Sequence, residues 1–182
     1  MDELVRQAMA KWPNVPDCYG WLGLDARGNW FMRDDGAQAC GRFASGRPGA
    51  KGSKLQHAKL IEFIQRNYAV DGRGAWFFQN GPQRVYVELE ATPHVWRIDA
   101  LGEVSSNAGD KVHFQSCFMD EHGWAYLQTS GGFGLVHTQD VGSLAQAIEH
   151  GNWRVEDVLV ADLPRRFAYR TSPQADHQPP AL

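Results

Sequence analysis

The sequence predicts an α+β protein, mainly antiparallel β-sheet in hairpins and a meander, with about three helices and two sheet units that could be related. Three observations carry this expectation. Rings are abundant: 12% of residues are aromatic, with seven Trp and nine Phe, which suits sheet faces better than a helical bundle. Apolar and polar residues alternate from Val85 to Leu89 and again from Val95 to Asp99. Turn residues separate such runs, among them Asn80-Gly81, a strong hairpin pair.

In chain order, residues 2–12 set Leu4, Val5, Ala8, Met9 and Trp12 at helical spacing, with Asp2 placed to cap and Pro13 and Pro16 to end the helix. A hairpin follows across Asp25-Ala-Arg-Gly28. Leu24 should lie opposite Trp30 and Leu22 opposite Met32, and Gly28 can take the positive φ of the turn. Residues 34–52 are rich in Gly, Ala and Arg and read as a long, partly mobile surface loop. Ser53 is then placed to cap a helix to about Tyr68, with Leu60, Ile61, Ile64 and Tyr68 on one face.

The middle of the chain reads as an antiparallel meander of 75–79, 85–90 and 95–99. With Ala91-Thr-Pro-His94 as connection, Leu89 falls opposite Trp96 and Val87 opposite Ile98 on an inner face. Glu88 then meets Arg97, and Tyr86 meets Asp99, on an outer face. A polar connection spans 101–111. Strands 112–119 and 124–128 form a hairpin across Asp120-Glu-His-Gly123, and strand 133–137 follows. Ser143 caps a short helix to about His150, and 155–161 is a last strand. Residues 1–170 should form one compact α+β domain, divisible at most into 1–70 and 71–170. Residues 171–182, with three prolines and no Phe, Tyr or Trp, should be a disordered tail. Asp25-Ala-Arg-Gly-Asn-Trp-Phe echoes Asp71-Gly-Arg-Gly-Ala-Trp-Phe, and Asp120-Glu-His-Gly-Trp resembles both, although Asp and Gly also recur wherever turns do.

Composition excludes several classes. A net charge of −3, from 18 basic and 21 acidic residues, argues against nucleic-acid binding. Three scattered cysteines without a CxxC pair fit neither a disulfide framework nor a zinc knuckle. The charged N-terminus and the lack of a long apolar run point to a cytoplasmic chain with no membrane segment.

Two groups of residues are candidate sites. Arg42, Arg47, Lys51, Ser53 and Lys54 concentrate positive charge ahead of a helix start, an arrangement suited to an anion. Gly46-Arg-Pro-Gly-Ala-Lys-Gly-Ser53 is nevertheless no nucleotide-phosphate loop: Lys51 precedes Gly52 and no apolar strand leads in. The second group is Tyr86, Glu88, Glu90, His94 and Arg97, where paired carboxylates could serve acid–base chemistry; a solvated face with a Glu88–Arg97 pair is the plainer reading. The seven histidines show no metal-ligand spacing, and no nucleophile has a local partner, so neither a cofactor, nor a metal, nor a catalytic residue is assigned.

The blocks Lys11-Trp-Pro-Asn-Val-Pro16, Tyr19-Gly-Trp-Leu22, Phe78-Gln-Asn-Gly-Pro-Gln-Arg-Val-Tyr-Val-Glu-Leu-Glu90 and Gly132-Phe-Gly-Leu-Val-His137 resemble an uncharacterised family of proteobacterial proteins of about this length, described only as a domain of unknown function. That resemblance implies a bacterial cytoplasmic protein and brings no catalytic residues. The residues themselves point to a non-catalytic binding module for a small anionic ligand or a protein partner. One alternative is a small hydrolase-like enzyme using Glu88 and Glu90 with a histidine. A second is an assembly protein pairing, as in a homodimer, through a sheet edge.

Overall fold

In the computed structural model, which describes residues 1–151 and 153–177, the chain divides into two units, each built on its own mixed sheet. One unit comprises residues 1–25 and 29–90 with the C-terminal segment from Tyr169; the other comprises 26–28 and 91–168. The boundary thus falls after Glu90, not at 70, and the chain returns to the first unit at its end.

The first unit runs α1 (Glu3–Lys11), β1 (Cys18–Leu24), β2 (Trp30–Met32), α2 (Asp35–Cys40), β3 (Ser53–Lys54), α3 (Ala58–Arg66), β4 (Tyr68–Val70), β5 (Trp76–Asn80) and β6 (Gln83–Leu89). Its sheet order is β3-β2-β1-β6-β5-β4, with β1 and β6 parallel and the other neighbours antiparallel. Leu22 pairs with Met32 and Leu24 with Trp30, as turn chemistry and parity predict. Asn80 pairs with Gln83 across Gly81-Pro82, with Gly81 at φ +57°. Phe63 of α3 meets Phe78 edge-on at 5.4 Å, and Ile64, Val87 and Leu89 are fully buried.

The second unit runs β7 (His94–Ile98), β8 (Val104–Ser106), β9 (Lys111–Val112), β10 (Phe114–Asp120), β11 (Ala125–Thr129), β12 (Gly132–Val136), α4 (Val141–Glu149), β13 (Val155–Val158) and α5 (Leu163–Arg166). Its order is β13-β10-β11-β12-β7-β8-β9, with β7–β12 and β10–β13 parallel. Leu144 and Ala147 of α4 close a core with Trp96, Ile98, Leu127 and Val136. Asp140 fixes the start of this helix: it takes two bonds from Arg97, at 2.6 and 3.0 Å, and one from the Ile98 N–H at 3.0 Å.

The two sheets share one wiring. Reading β1-β2-β3 as β7-β8-β9 and β4-β5-β6 as β10-β11-β12 gives the same order, with the parallel pair β1–β6 matching β12–β7. The same turn recurs at Asp25, Asp71, Asp99 and Asp120. In each, the Asp N–H donates to the carbonyl four residues on at 3.0–3.1 Å, and that residue's N–H returns to Asp Oδ1 at 2.7–2.9 Å. The third following residue is always Gly, at φ +77° to +83°, a backbone state costly for any residue with a Cβ. The sequence echo captured three of these turns and missed Asp99, which no ring follows.

Several expectations are corrected. Leu89 and Trp96 do not pair. β6 lies between β1 and β5, and β7 between β12 and β8, so the supposed meander breaks at Glu90. The Glu90 N–H continues the pairing with β1 through the Leu24 carbonyl at 3.0 Å. Thr92 ties the connection into the second sheet instead, donating to the His94 carbonyl at 2.7 Å and accepting from the Leu135 N–H at 2.9 Å. Among the described residues the sheets are mixed, not purely antiparallel, with three parallel pairings beside eight antiparallel ones, and six α-helices occur, not three. Ser53 belongs to β3, pairing with Met32; the helix begins at Ala58, where His57 Nδ1 accepts from the Leu60 N–H. Residues 34–52 contain α2, capped by Asp34 on the Ala37 N–H at 2.8 Å. Residues 171–177 form no loose tail: α6 (Pro173–His177) packs on β1 and β6, while 178–182 lie outside the described residues.

Candidate functional site

The returning C-terminal strap decides what β6 can do. The Leu89 N–H donates to the Thr171 carbonyl at 2.8 Å, and the Arg170 N–H to the Gly74 carbonyl at 2.9 Å. Tyr86 and Glu88, one strand parity, therefore sit under the strap and not in water, with 1% and 2% exposure. Glu88 accepts from Ser172 Oγ at 2.5 Å and from the Gln174 N–H at 2.9 Å. Burial pushes its carboxyl up, while those two bonds and the nearby Arg33 charge pull it back only in part.

Arg33, fully buried at the end of β2, is the hub beneath the glycine-rich loop. Its guanidinium donates to the carbonyls of Ala50 at 2.8 Å, Gly20 at 3.1 Å and Gly41 at 2.6 Å, and reaches Gln174 Oε1 at 3.4 Å. One side chain thus fixes β1, both ends of the loop and the strap.

Next to it lies a concavity of about 220 Å³ lined by Tyr19, Arg73, Ala75, Arg170, Pro173, Asp176 and His177. A bulge positions Tyr19: Cys18 to Leu22 spans four steps on β1 while the partners Val85 and Val87 are two apart, and Gly20 sits there at φ +80°. The Tyr19 ring is stacked between Tyr86 at 4.6 Å and His177 at 4.1 Å. The Asp71 turn projects Arg73. Asp71 Oδ1 accepts from the Arg73 and Ala75 N–H groups at 2.8 and 2.9 Å, and Oδ2 from the Tyr86 hydroxyl at 3.1 Å. Burial pushes the Asp71 carboxyl up, but these bonds and the Arg73 charge outweigh it and hold it low. The hydroxyls of Tyr86 and Tyr19 and the Asp71 charge in turn raise the Arg73 guanidinium. Arg170 adjoins it, with Nε 3.4 Å from the Arg73 carbonyl and a guanidinium nitrogen 3.9 Å from Asp176. Two exposed cations therefore share one cleft beside a fixed ring stack, an arrangement able to grip a carboxylate or phosphate.

Of the basic set, Arg42, Arg47, Ser53 and Lys54 are exposed, and Lys51 is tied to Glu90 at 2.6 Å beside the Phe31 and Phe43 rings. Tyr86, Glu88 and Glu90 lie in the first unit, His94 and Arg97 in the second. His94 stacks on Trp96 at 4.9 Å, and burial pushes its imidazole down to about 4. Asp176 and His177 were hidden from sequence reasoning because residues 171–182 read as a tail, and Arg170, just before it, stands in no motif. The Asp71-Gly-Arg-Gly-Ala turn was the one local signal, since it projects Arg73. Among the described residues, no group of three or more His, Cys, Asp or Glu could hold a metal, and no helix is long and apolar enough to cross a membrane.

Fold and site define an α+β chain of two mixed sheets with an arginine-flanked aromatic cleft in the first. By sequence it belongs to the family described as a protein of unknown function (DUF2946), matched over residues 1–174. No curated protein matches the chain. Among solved structures it is similar to a DUF1285 family protein from Silicibacter pomeroyi DSS-3, at 12% identity over 80% of this chain and 84% of that one, with a TM-score of 0.47.

Proposed function

We propose that the chain is a non-catalytic binding module for a small anionic ligand, held in the Tyr19–Arg73–Arg170–His177 cleft. The observation that supports this is the convergence of two exposed guanidiniums on one concavity whose ring stack is already fixed. Its volume of about 220 Å³ falls below the roughly 300–1,000 Å³ of sites for drug-sized ligands, which favours a compact carboxylate or phosphate over a whole nucleotide. Arg42, Arg47 and Lys54 remain an outer basic surface that could help attract such a ligand.

A thermal-shift screen of inorganic phosphate and small mono-, di- and tricarboxylates tests this. A binder at a hundred times its Kd adds about 2.7 kcal/mol of stability. The reading requires that Arg73→Ala and Arg170→Ala each abolish most of the shift. A shift that survives both substitutions refutes it.

A further inference from the structure

Both arginines of the cleft already face a carboxylate, but the two carboxylates are held very differently. Asp71 is built in: its side chain is 9% exposed and takes three hydrogen bonds, from two backbone N–H groups and the Tyr86 hydroxyl, besides its 3.4 Å approach to Arg73. Asp176 lies 3.9 Å from Arg170, beyond hydrogen-bond length, and both side chains of that pair are 56% exposed. It sits in the last turn of a five-residue helix that lines the cleft.

From this contrast we infer that Asp176 is a built-in competitor: its carboxylate stands where the ligand's oxyanion would meet Arg170, and binding displaces it. The inference rests on the cleft being an anion site and adds how that site is regulated. Arg73, with its carboxylate immovable, orients; Arg170 is the cation exchanged between Asp176 and the ligand. Such an internal carboxylate raises the threshold for weak monoanions and favours ligands with more than one negative charge, which can replace one anion and still gain attraction.

The test compares inorganic phosphate binding by calorimetry in the wild type, Asp176→Asn, Arg170→Ala and the double variant, with melting temperatures as the check on folding. Asp176→Asn should bind phosphate about fivefold more tightly, the effect of one unit charge about 4 Å away in water-like surroundings. That gain should vanish in the Arg170→Ala background. Unchanged or weaker binding by Asp176→Asn, with wild-type binding intact, overturns the competitor role and leaves the anion site standing. A gain of equal size without Arg170 also overturns it. If neither the wild type nor Asp176→Asn binds phosphate, site and competitor fall together.

Discussion

Glu88 and Ser172, 84 residues apart, share a 2.5 Å hydrogen bond beneath the C-terminal strap. With the Gln174 N–H on its other oxygen, the carboxylate latches the strap to the parallel pair β1–β6. This latch places Arg170, Asp176 and His177 beside Tyr19 and Arg73.

Glu88→Ala should therefore loosen residues 169–177 before it loosens either sheet. It leaves a hydroxyl and a backbone N–H without their acceptor, at a cost of about 1–3 kcal/mol. Hydrogen exchange should show faster exchange at the Leu89 and Gln174 amides and little change at Leu127. Uniform acceleration across both units would contradict the latch.

Arg33→Met keeps the volume of the aliphatic stem and removes the hub. Three backbone carbonyls lose a charged donor, so the loss should exceed about 3 kcal/mol, and residues 41–52 should become open to proteolysis. Trypsin cleavage after Arg42 or Lys51 reads this out. Resistance equal to the wild type would show that the glycines hold the loop unaided.

His94 predicts an acid limb of stability. Its folded value of about 4 lies below the ordinary 6.5, so between these limits the unfolded chain binds the extra proton. This contribution is complete above pH 6.5 and is lost as pH falls toward 4, on the order of 3 kcal/mol in all. The raised Glu88 carboxyl acts in the opposite sense, since the native state takes its proton more readily than the unfolded chain. Denaturant midpoints of the wild type and His94→Asn across this range should diverge by a shallower slope in the variant. Parallel curves would contradict the assignment.

Two glycines at similar φ should differ sharply on substitution by Ala. Gly123, at φ +81°, has open space where a Cβ would go, so only backbone strain of about 1–2 kcal/mol is expected. At Gly52, φ +75°, a Cβ would stand 2.3 Å from the Met32 carbonyl oxygen, which adds a clash with backbone. Gly52→Ala should cost clearly more in chemical denaturation; equal costs would contradict the packing between the loop and β2.

The local parts of this fold were legible in the sequence because turn chemistry writes them. Asp25-x-x-Gly28, Asn80-Gly81 and Asp120-x-x-Gly123 joined the correct strands, and parity placed Leu22 against Met32 and Leu24 against Trp30. Parity could not choose distant partners. Val87 and Leu89 alternate with Tyr86 and Glu88 equally well beside β1 as beside β7, and the parallel β1–β6 pair leaves no turn as a signature. The polar face was misread for the same reason: burial of Tyr86 and Glu88 comes from residues 169–177, most of which fall in a stretch whose Pro173 and polar side chains resemble a solvated tail. Of the cleft, Arg73 and Ala75 stood in a recognisable turn.

The most direct test of the cleft is an amide NMR titration with inorganic phosphate. Resonances of Tyr19, residues 71–75 and 170–177 should shift together and saturate with one dissociation constant. Shifts confined to Arg42, Arg47 and Lys54, with those of Tyr19 and Arg170 unmoved, would place anion binding on the outer basic surface and contradict the site proposed for this chain.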